Sequence, residues 1–399
     1  MRVAILTAGK DQSYALGLLN ALQRKPIHIE FIGNGEMRGL DVVGAQHVDF
    51  YNLVGNQDVD TSLREKVLRV LKYYVRLITY AARTDAKLFH ILWFRKFPYM
   101  ERTLLNTYFK MLGKKLVFTA HNVDGQARDG KSTVVNKLSL RFLYHIVDHI
   151  LVHTPKMKLQ VIEEFGIAEK KITVVPHGIN DVIPESKATR FEAKQQLGFG
   201  LNDKILLFFG NIAPYKGLED LIRALATLID KDDRFRLIIA GPVRDKGCAG
   251  YWWELETMIE ELRLSDYVRQ EIRFIPDEDV GIFFKASDVS VLPYKRIYQS
   301  GVLLLSYRQG LPVIAADVGS LREDIVEGQT GLLFRSGDPA DLASKVRMYF
   351  ASDLFKELEA RRRRIREYGD NRFSWGKNVD LTFAVYENLL DIEKRTSLP

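Results

Sequence analysis

Residues 206–225 read LLFFGNIAPYKGLEDLIRAL. Four apolar residues run unbroken and stop at Gly210. Further on, Leu218, Leu221, Ile222 and Leu225 recur at helical spacing. A buried strand, a glycine turn and an amphipathic helix make one step of a parallel α/β sheet. Lys216 and Gly217 stand where the helix begins. A helix start exposes unpaired amides, so an ammonium group beside it predicts an anion site. One Lys–phosphate contact near 4 Å is worth about 4 kcal/mol at an effective dielectric of 20, before desolvation. The plain alternative is a capped helix with a solvated lysine.

The same step recurs outward in both directions. Downstream, residues 286–317 read ASDVSVLPYKRIYQSGVLLLSYRQGLPVIAAD: strand, turn, helix, strand. Ser300 and Gly301 open that helix, so its first amides are free for a second group of phosphate oxygens. RFRLIIAG and VRQEIRFIP add strands, and the tail from Asp338 to about Ile392 is helical. Upstream, VAILTAG, IHIEFIG, LFHILWF, KLVFTAH, HILVHT and KITVVPHG read as buried strands. Helical stretches lie between them near 61–83, 98–113, 133–147 and 155–166. Residues 179–203 are polar and read as a linker. The expectation is two α/β domains in tandem, residues 1–180 and 181–375.

Composition supports a globular chain: 399 residues, 46% hydrophobic and 27% charged, which excludes disorder. The single cysteine, Cys248, excludes a disulfide framework and fits a reducing, cytoplasmic location. No apolar run approaches the ~20 residues that span a bilayer, and the start MRVAILTAG reads as a strand, not a signal peptide. Charge is uneven. Residues 1–180 hold 26 Lys/Arg against 16 Asp/Glu and all eight histidines. The first half would therefore attract an anionic partner such as a phospholipid surface, or is simply a moderately basic surface.

Several motifs mislead. GQARDGKS, residues 125–132, matches the phosphate-binding P-loop and lies between a strand and a helix. Four residues separate it from the strand, Asp129 sits among the amides, and no later strand supplies a magnesium-binding Asp. GNGEMRG has Arg38 where a dinucleotide fingerprint needs its third glycine. The acidic triplets at 58–60 and 277–279 read as solvated loops, and Arg361–Arg364 as a solvated helix face. HExxH, CxxC and GxSxG are absent from the sequence.

LLFFGNIAPYKGLEDLI, ASDVSVLPY, SGVLLLSYRQGLPVIAADVGSLREDI and EGQTGLLF, in this order, resemble the donor-binding domain of GT-B glycosyltransferases. The nearest match is retaining family four, which makes bacterial surface polysaccharides and glycolipids. LVFTAHNVDG, DHILVHT and KITVVPHGI resemble that family's N-terminal domain, so the likeness spans roughly residues 1–375. It implies two Rossmann-like domains facing across a cleft, with residues 376–399 forming a helix that crosses back to the first. It implies a nucleotide-diphosphate sugar donor, UDP- or GDP-linked, no metal or other cofactor, and no nucleic-acid partner. By resemblance, Lys216 neutralises the diphosphate beside Gly210 and Asn211. Gln299, Ser300, Gly301 and Val302 offer amides, and Ile275 and Pro276 lie beside the base. His121 faces the transferred sugar, and Lys216 and His121 are the catalytic candidates. The Gly9-Lys10-Asp11 loop approaches donor and acceptor. Two departures stand out. Asn211 replaces the family's usual arginine, and Ile297 and Leu305 occupy the places of its paired glutamates. A non-catalytic sugar-nucleotide binder, or an ATPase on GQARDGKS, are the alternative readings.

The acceptor implied is a glycan or lipid-linked saccharide. TSLREKVLRVLKYYVRLITYAAR (61–83) sets Leu63, Val67, Leu71, Val75 and Ile78 near one face, with arginines, lysines and tyrosines between. WFRKFPYMERTLLNTYFKMLGKK is also basic and aromatic. Such a surface suits peripheral contact with anionic lipid on the inner face of a membrane. The ordinary reading packs the apolar face on the sheet.

Overall fold

The computed structural model describes residues 1–36, 47–55, 63–179 and 183–396. The triplet at 58–60 and Arg38 lie outside them. The chain divides into two compact units, residues 1–178 with 374–399, and residues 179–373. In the first unit, β1 (Arg2–Leu6), β2 (His28–Gly33), β3 (Val48–Asn52), β4 (Leu88–Ile91), β5 (Lys115–Ala120), β6 (His149–Val152) and β7 (Ile172–Val174) form one sheet. Its order is β3-β2-β1-β4-β5-β6-β7, all parallel. In the second unit, β8 (Lys204–Phe209), β9 (Phe235–Ala240), β10 (Val268–Glu271), β11 (Val289–Leu292), β12 (Val313–Ala316) and β13 (Gly331–Phe334) run parallel in the order β10-β9-β8-β11-β12-β13. Central strands such as Leu88–Ile91 and Val289–Leu292 are buried throughout, as sheets covered on both faces require. Strands β3 and β13 escaped the sequence reading. The first, VDFYN, is half-buried at a sheet edge, and the second has four residues.

Each sheet reverses its winding once. Strand β1 lies between β2 and β4, and β8 lies between β9 and β11. At such a point the loops leaving adjacent strands part, and a crevice opens at the carboxyl ends. Helix α1 (Gln12–Leu22) follows β1, and Asp11 caps it by accepting from Tyr14 N at 3.1 Å. Gly17 sits in the middle of α1, where glycine costs about 1 kcal/mol relative to alanine. The ring of Trp375 explains it, since it lies where a methyl on Gly17 or Gly178 would be. Trp375 begins the helix Trp375–Thr396, which belongs to the first unit. Asn378 in that helix donates to Pro176 O at 2.6 Å, and the Tyr386 hydroxyl bonds His90 Nδ1 at 2.5 Å.

Two expectations are corrected, and one open alternative is decided. The 179–203 stretch contains a helix, Arg190–Gln196, closed by a capping box of Thr189 and Glu192. The four arginines are not one solvated face. Arg362 is buried and donates to the carbonyls of Phe284, Lys285, Ser287 and Gln309 at 3.0–3.4 Å. It thereby satisfies helix-end carbonyls that would otherwise lie buried and unpaired. Of the two readings of α2 (Leu63–Arg83), packing on the sheet does not hold for Val67, Leu71, Val75 and Ile78. Tyr73, Tyr74, Leu77, Tyr80 and Ala81 are buried instead. The tyrosines can turn inward because their hydroxyls find carboxylates: Tyr74 donates to Glu101 at 2.6 Å, and Tyr80 to Glu30. Val67, Leu71, Val75 and Ile78 are left exposed, Val75 to 64%.

Candidate active site

In the second unit the candidates gather at the β8/β11 crevice. Gly210 leaves β8 with φ +94°, and its backbone lies under the Lys216 ammonium. An ideal Cβ on Gly210 would stand 3.1 Å from Lys216 Nζ and 3.3 Å from Val302 Cγ2. Gly210, Lys216 and the first turn of the helix Gly301–Arg308 therefore share one spot. Lys216 is 6% exposed, with Nζ 5.1 Å from the Tyr294 ring centre and 5.8 Å from that of Phe208. Those rings hold the ammonium at the crevice through cation–π attraction. Ser300 caps the helix by accepting from Leu303 N at 3.2 Å, and its hydroxyl lies 3.3 Å from that of Tyr294. The amides of Gly301 and Val302 precede the first intrahelical bond, and Gly301 is exposed. Gln299 Oε1 is buried with no partner. Asn211, beside Gly210 in the chain, is exposed.

Ile275 and Pro276 follow β10, on the same sheet edge but two strands, or about 10 Å, from β8. The Ile275 side chain is spent in the core with Val280 and Phe283, while Pro276 caps the helix Asp277–Ala286. Ile297 and Leu305 both pack against core clusters.

In the first unit the β1/β4 crevice carries different chemistry. Gly9 (φ +70°) and Lys10 follow β1, and Ala8 (φ +52°) and Asp11 (φ +37°) hold left-handed backbone without being glycine. Such conformations cost roughly 1–3 kcal/mol and persist where surrounding structure enforces them. His121, His153 and His177 follow the adjacent strands β5, β6 and β7, and Trp93 follows β4. His121 stacks on Trp93, ring centres 4.4 Å apart and planes 3° from parallel. Tyr14 meets His121 edge-on at 4.6 Å and Trp375 at 5.1 Å. His153 Nε2 lies 3.0 Å from His121 Nδ1. Burial pushes His121 and His153 well below the usual imidazole range, aided by the neighbouring rings. Burial lowers His177 too, while the Asp11 carboxylate pulls it back up. His121 Nε2 is sealed from solvent and has no partner.

One nitrogen from each of the three histidines lies within 4.8 Å of the others, a spacing open to a metal ion. The close pair among them is already joined by a hydrogen bond. The sequence singled out His121 but neither His153 nor His177. The signal was present: HN, HT and HG each end an apolar strand, and the three strands are neighbours. The GQARDGKS loop turns on a carboxylate instead. Asp124 accepts from Gln126 N (3.0 Å), Ala127 N (3.1 Å), Ser132 Oγ (2.5 Å) and Asn136 Nδ2 (2.8 Å), so the loop's own acid occupies donors a phosphate would need.

Comparison with known proteins agrees with this architecture. The family model "Glycosyl transferases group 1" matches residues 189–372, and "Glycosyltransferase Family 4" matches residues 12–182. The D-inositol 3-phosphate glycosyltransferase of Geodermatophilus obscurus is 29% identical over 246 residues, covering 60% of this chain and 52% of that protein. The chain thus spans about half the length of that relative. Sucrose-phosphate synthase from Thermosynechococcus elongatus superposes with a TM-score of 0.78 at 18% identity, covering 98% of this chain and all of the other. Anabaena HepE in complex with UDP-glucose gives 0.74 at 16%, covering 97% and 100%. At these identities the two structures establish the fold, which is GT-B. The chain belongs to the group 1, or family four, glycosyltransferases.

Proposed function

We propose that this glycosyltransferase moves a sugar, a hexose in our reading, from a nucleotide-diphosphate donor to a hydroxyl of a glycan or lipid-linked saccharide. The transfer retains anomeric configuration and needs no metal. The observation that carries the reading is the buried Lys216 ammonium over Gly210 at the start of the Gly301–Arg308 helix. As the bond from the anomeric carbon to the β-phosphate oxygen breaks, negative charge grows on the departing diphosphate. An ammonium and first-turn amides that are already in place stabilise that charge without reorganising. Retention brings the acceptor oxygen to the face the phosphate leaves, so the departing phosphate oxygen takes up the acceptor's proton. HepE, whose complex holds UDP-glucose, shares the fold and lends the donor class its support.

The test is a panel of UDP-, GDP- and ADP-sugars, read first by thermal shift and then by turnover. Stabilisation by one nucleotide with release of its diphosphate supports the proposal. Stabilisation without turnover on any acceptor would favour the sugar-nucleotide binder, a reading that the packed Ile297 and Leu305 keep in play. Retention is read from the anomeric coupling of the product.

The partner surface follows from α2. Its exposed aliphatic stripe is flanked by exposed Arg64, Lys72, Arg76 and Arg83. No described helix is long and apolar enough to cross a membrane, and apolar side chains among cations suit an anionic lipid surface, where each cation adds about 1 kcal/mol. In sedimentation with phosphatidylglycerol vesicles at low salt, the protein should pellet, and Val75→Asp with Leu71→Asp should abolish pelleting. Failure of the unaltered protein to pellet removes the membrane partner.

A further inference from the structure

The backbone fixes where the protons sit in the first unit's histidine nest. His153 Nδ1 lies 3.2 Å from the carbonyl oxygen of Val175. A carbonyl only accepts, so Nδ1 carries the hydrogen. The ring is neutral because burial and the His177 ring disfavour its charged form, and Nε2 is therefore bare. That bare nitrogen lies 3.0 Å from His121 Nδ1, so the hydrogen of this bond belongs to His121. His121 is held neutral by burial and by His153, His177 and His90, with Tyr14 and Trp93 as its other ring neighbours. Its Nε2 is consequently a lone pair with no hydrogen, and it is the atom left without a partner. Trp93 stacked on one side and Tyr14 against the ring resist a flip that would exchange the two nitrogens.

We infer that His153 is a positioning residue for His121, holding it in the tautomer whose Nε2 can only accept, so that the group recognised there is an O–H of a saccharide and not a phosphate oxygen. A phosphate oxygen facing that lone pair would be repelled, whereas a hydroxyl satisfies it. The tautomer rests on the Val175 carbonyl contact and the 3.0 Å histidine pair, with burial keeping both rings neutral. The identification of the hydroxyl as a saccharide's rests on the transferase reading.

The experiment uses the full chain labelled with [15N]histidine, with long-range proton–nitrogen correlation at neutral pH and His121→Gln to assign the ring. The expected spectrum shows His121 protonated at Nδ1 and bare at Nε2. In His153→Ala the hydrogen should redistribute toward Nε2. In His153→Gln the carboxamide oxygen can accept from Nδ1 and should restore the original form. With whichever nucleotide sugar is turned over, His153→Ala should lower kcat/KM about tenfold, the order of one misdirected hydrogen bond, and His153→Gln should recover most of it. His121 protonated at Nε2 in the unaltered protein overturns the inference, whether or not the variants fold. So does a tautomer indifferent to His153→Ala. So does one equivalent of zinc that shifts both rings, with a chelator lowering turnover, since the nitrogens are then ligands. The expected tautomers in a protein that turns over no nucleotide sugar would uphold the positioning role while removing the transferase reading.

Discussion

The two units present the same kind of crevice and fill it with opposite chemistry. At the β8/β11 edge an ammonium and first-turn amides donate, beside the buried Gln299 Oε1. In the first unit, neutral imidazoles and aromatic rings at the ends of β4 to β7 leave a bare nitrogen, beside the charged Lys10 and Asp11 of the loop after β1. Donors suit a diphosphate; an acceptor among rings suits the hydroxyls and C–H faces of a sugar. The lesson is that a topological switch point supplies the crevice, while the first few residues after each strand decide what it holds.

The comparison makes its largest claim about acid. All eight histidines lie in residues 1–180, and burial lowers His90 to about 3 and His149 to about 4, with His121, His153 and His177 also lowered. In the unfolded chain these rings take up protons near pH 6.5; in the folded unit they stay neutral until lower pH. Their contribution is whole above 6.5 and is lost as pH falls toward the folded values, at about 1.4 kcal/mol per unit for each fully buried ring. The second unit responds with the other sign. Asp324 is raised to about 6 by burial, so it binds its proton more readily when folded, and it adds stability as pH falls from about 6 toward the ordinary Asp value of about 4. Urea unfolding should therefore weaken by several kcal/mol from pH 7 to 5 when read from Trp93 and Trp375 in a Trp252→Phe, Trp253→Phe background. The reciprocal pair, Trp93→Phe with Trp375→Phe, should show no loss and a gain of up to about 1 kcal/mol. Equal losses in both would erase the contrast.

Next in size is the donor side. Lys216→Ala should cost on the order of 100-fold in kcat/KM, as removal of a preorganised charge-stabilising donor does, with the acid sensitivity of the first unit untouched. Unaltered turnover would end the donor assignment. Gly17→Ala tests the other side: a methyl driven into the Trp375 ring should cost about 1–3 kcal/mol in the first unit, outweighing the gain of about 1 kcal/mol in helix propensity. Nucleotide binding measured by titration should not move.

Much of this was legible in the chain. LLFFG followed by a 3.6-residue pattern gives strand and helix because each apolar run is long enough to be buried on both faces. The Gly210, Lys216 and Ser300–Val302 grouping followed from recognising two helix starts. What the sequence withheld is neighbourhood across strands. His153 reads as packing until β6 is placed between β5 and β7, because side-chain contacts 32 residues apart leave no local period. Arg362 was hidden for the same reason: a charge in an arginine run looks solvated until the carbonyls of another helix are found around it. The sequence left two readings of α2 open because tyrosine counts as half polar; Glu30 and Glu101 satisfy its hydroxyls and let the rings turn inward while valine and leucine stay out.

Asn211 gives the smallest effect and the finest test of how the second unit works without the family's usual arginine. It follows Gly210 directly and is exposed, so an arginine placed there would meet a diphosphate in a screened environment. A charge pair in such a setting is worth up to about 1 kcal/mol, and Asn211→Arg should tighten nucleoside diphosphate binding by about two- to fivefold, measured by calorimetry at low salt. Because the gain is screened, it should vanish by about 0.5 M salt, whereas the contribution of the buried Lys216 should persist. If the gain instead exceeds tenfold and resists salt, the crevice is more enclosed at Asn211 than its exposure indicates. The ammonium and amides would then be only part of what binds the leaving group.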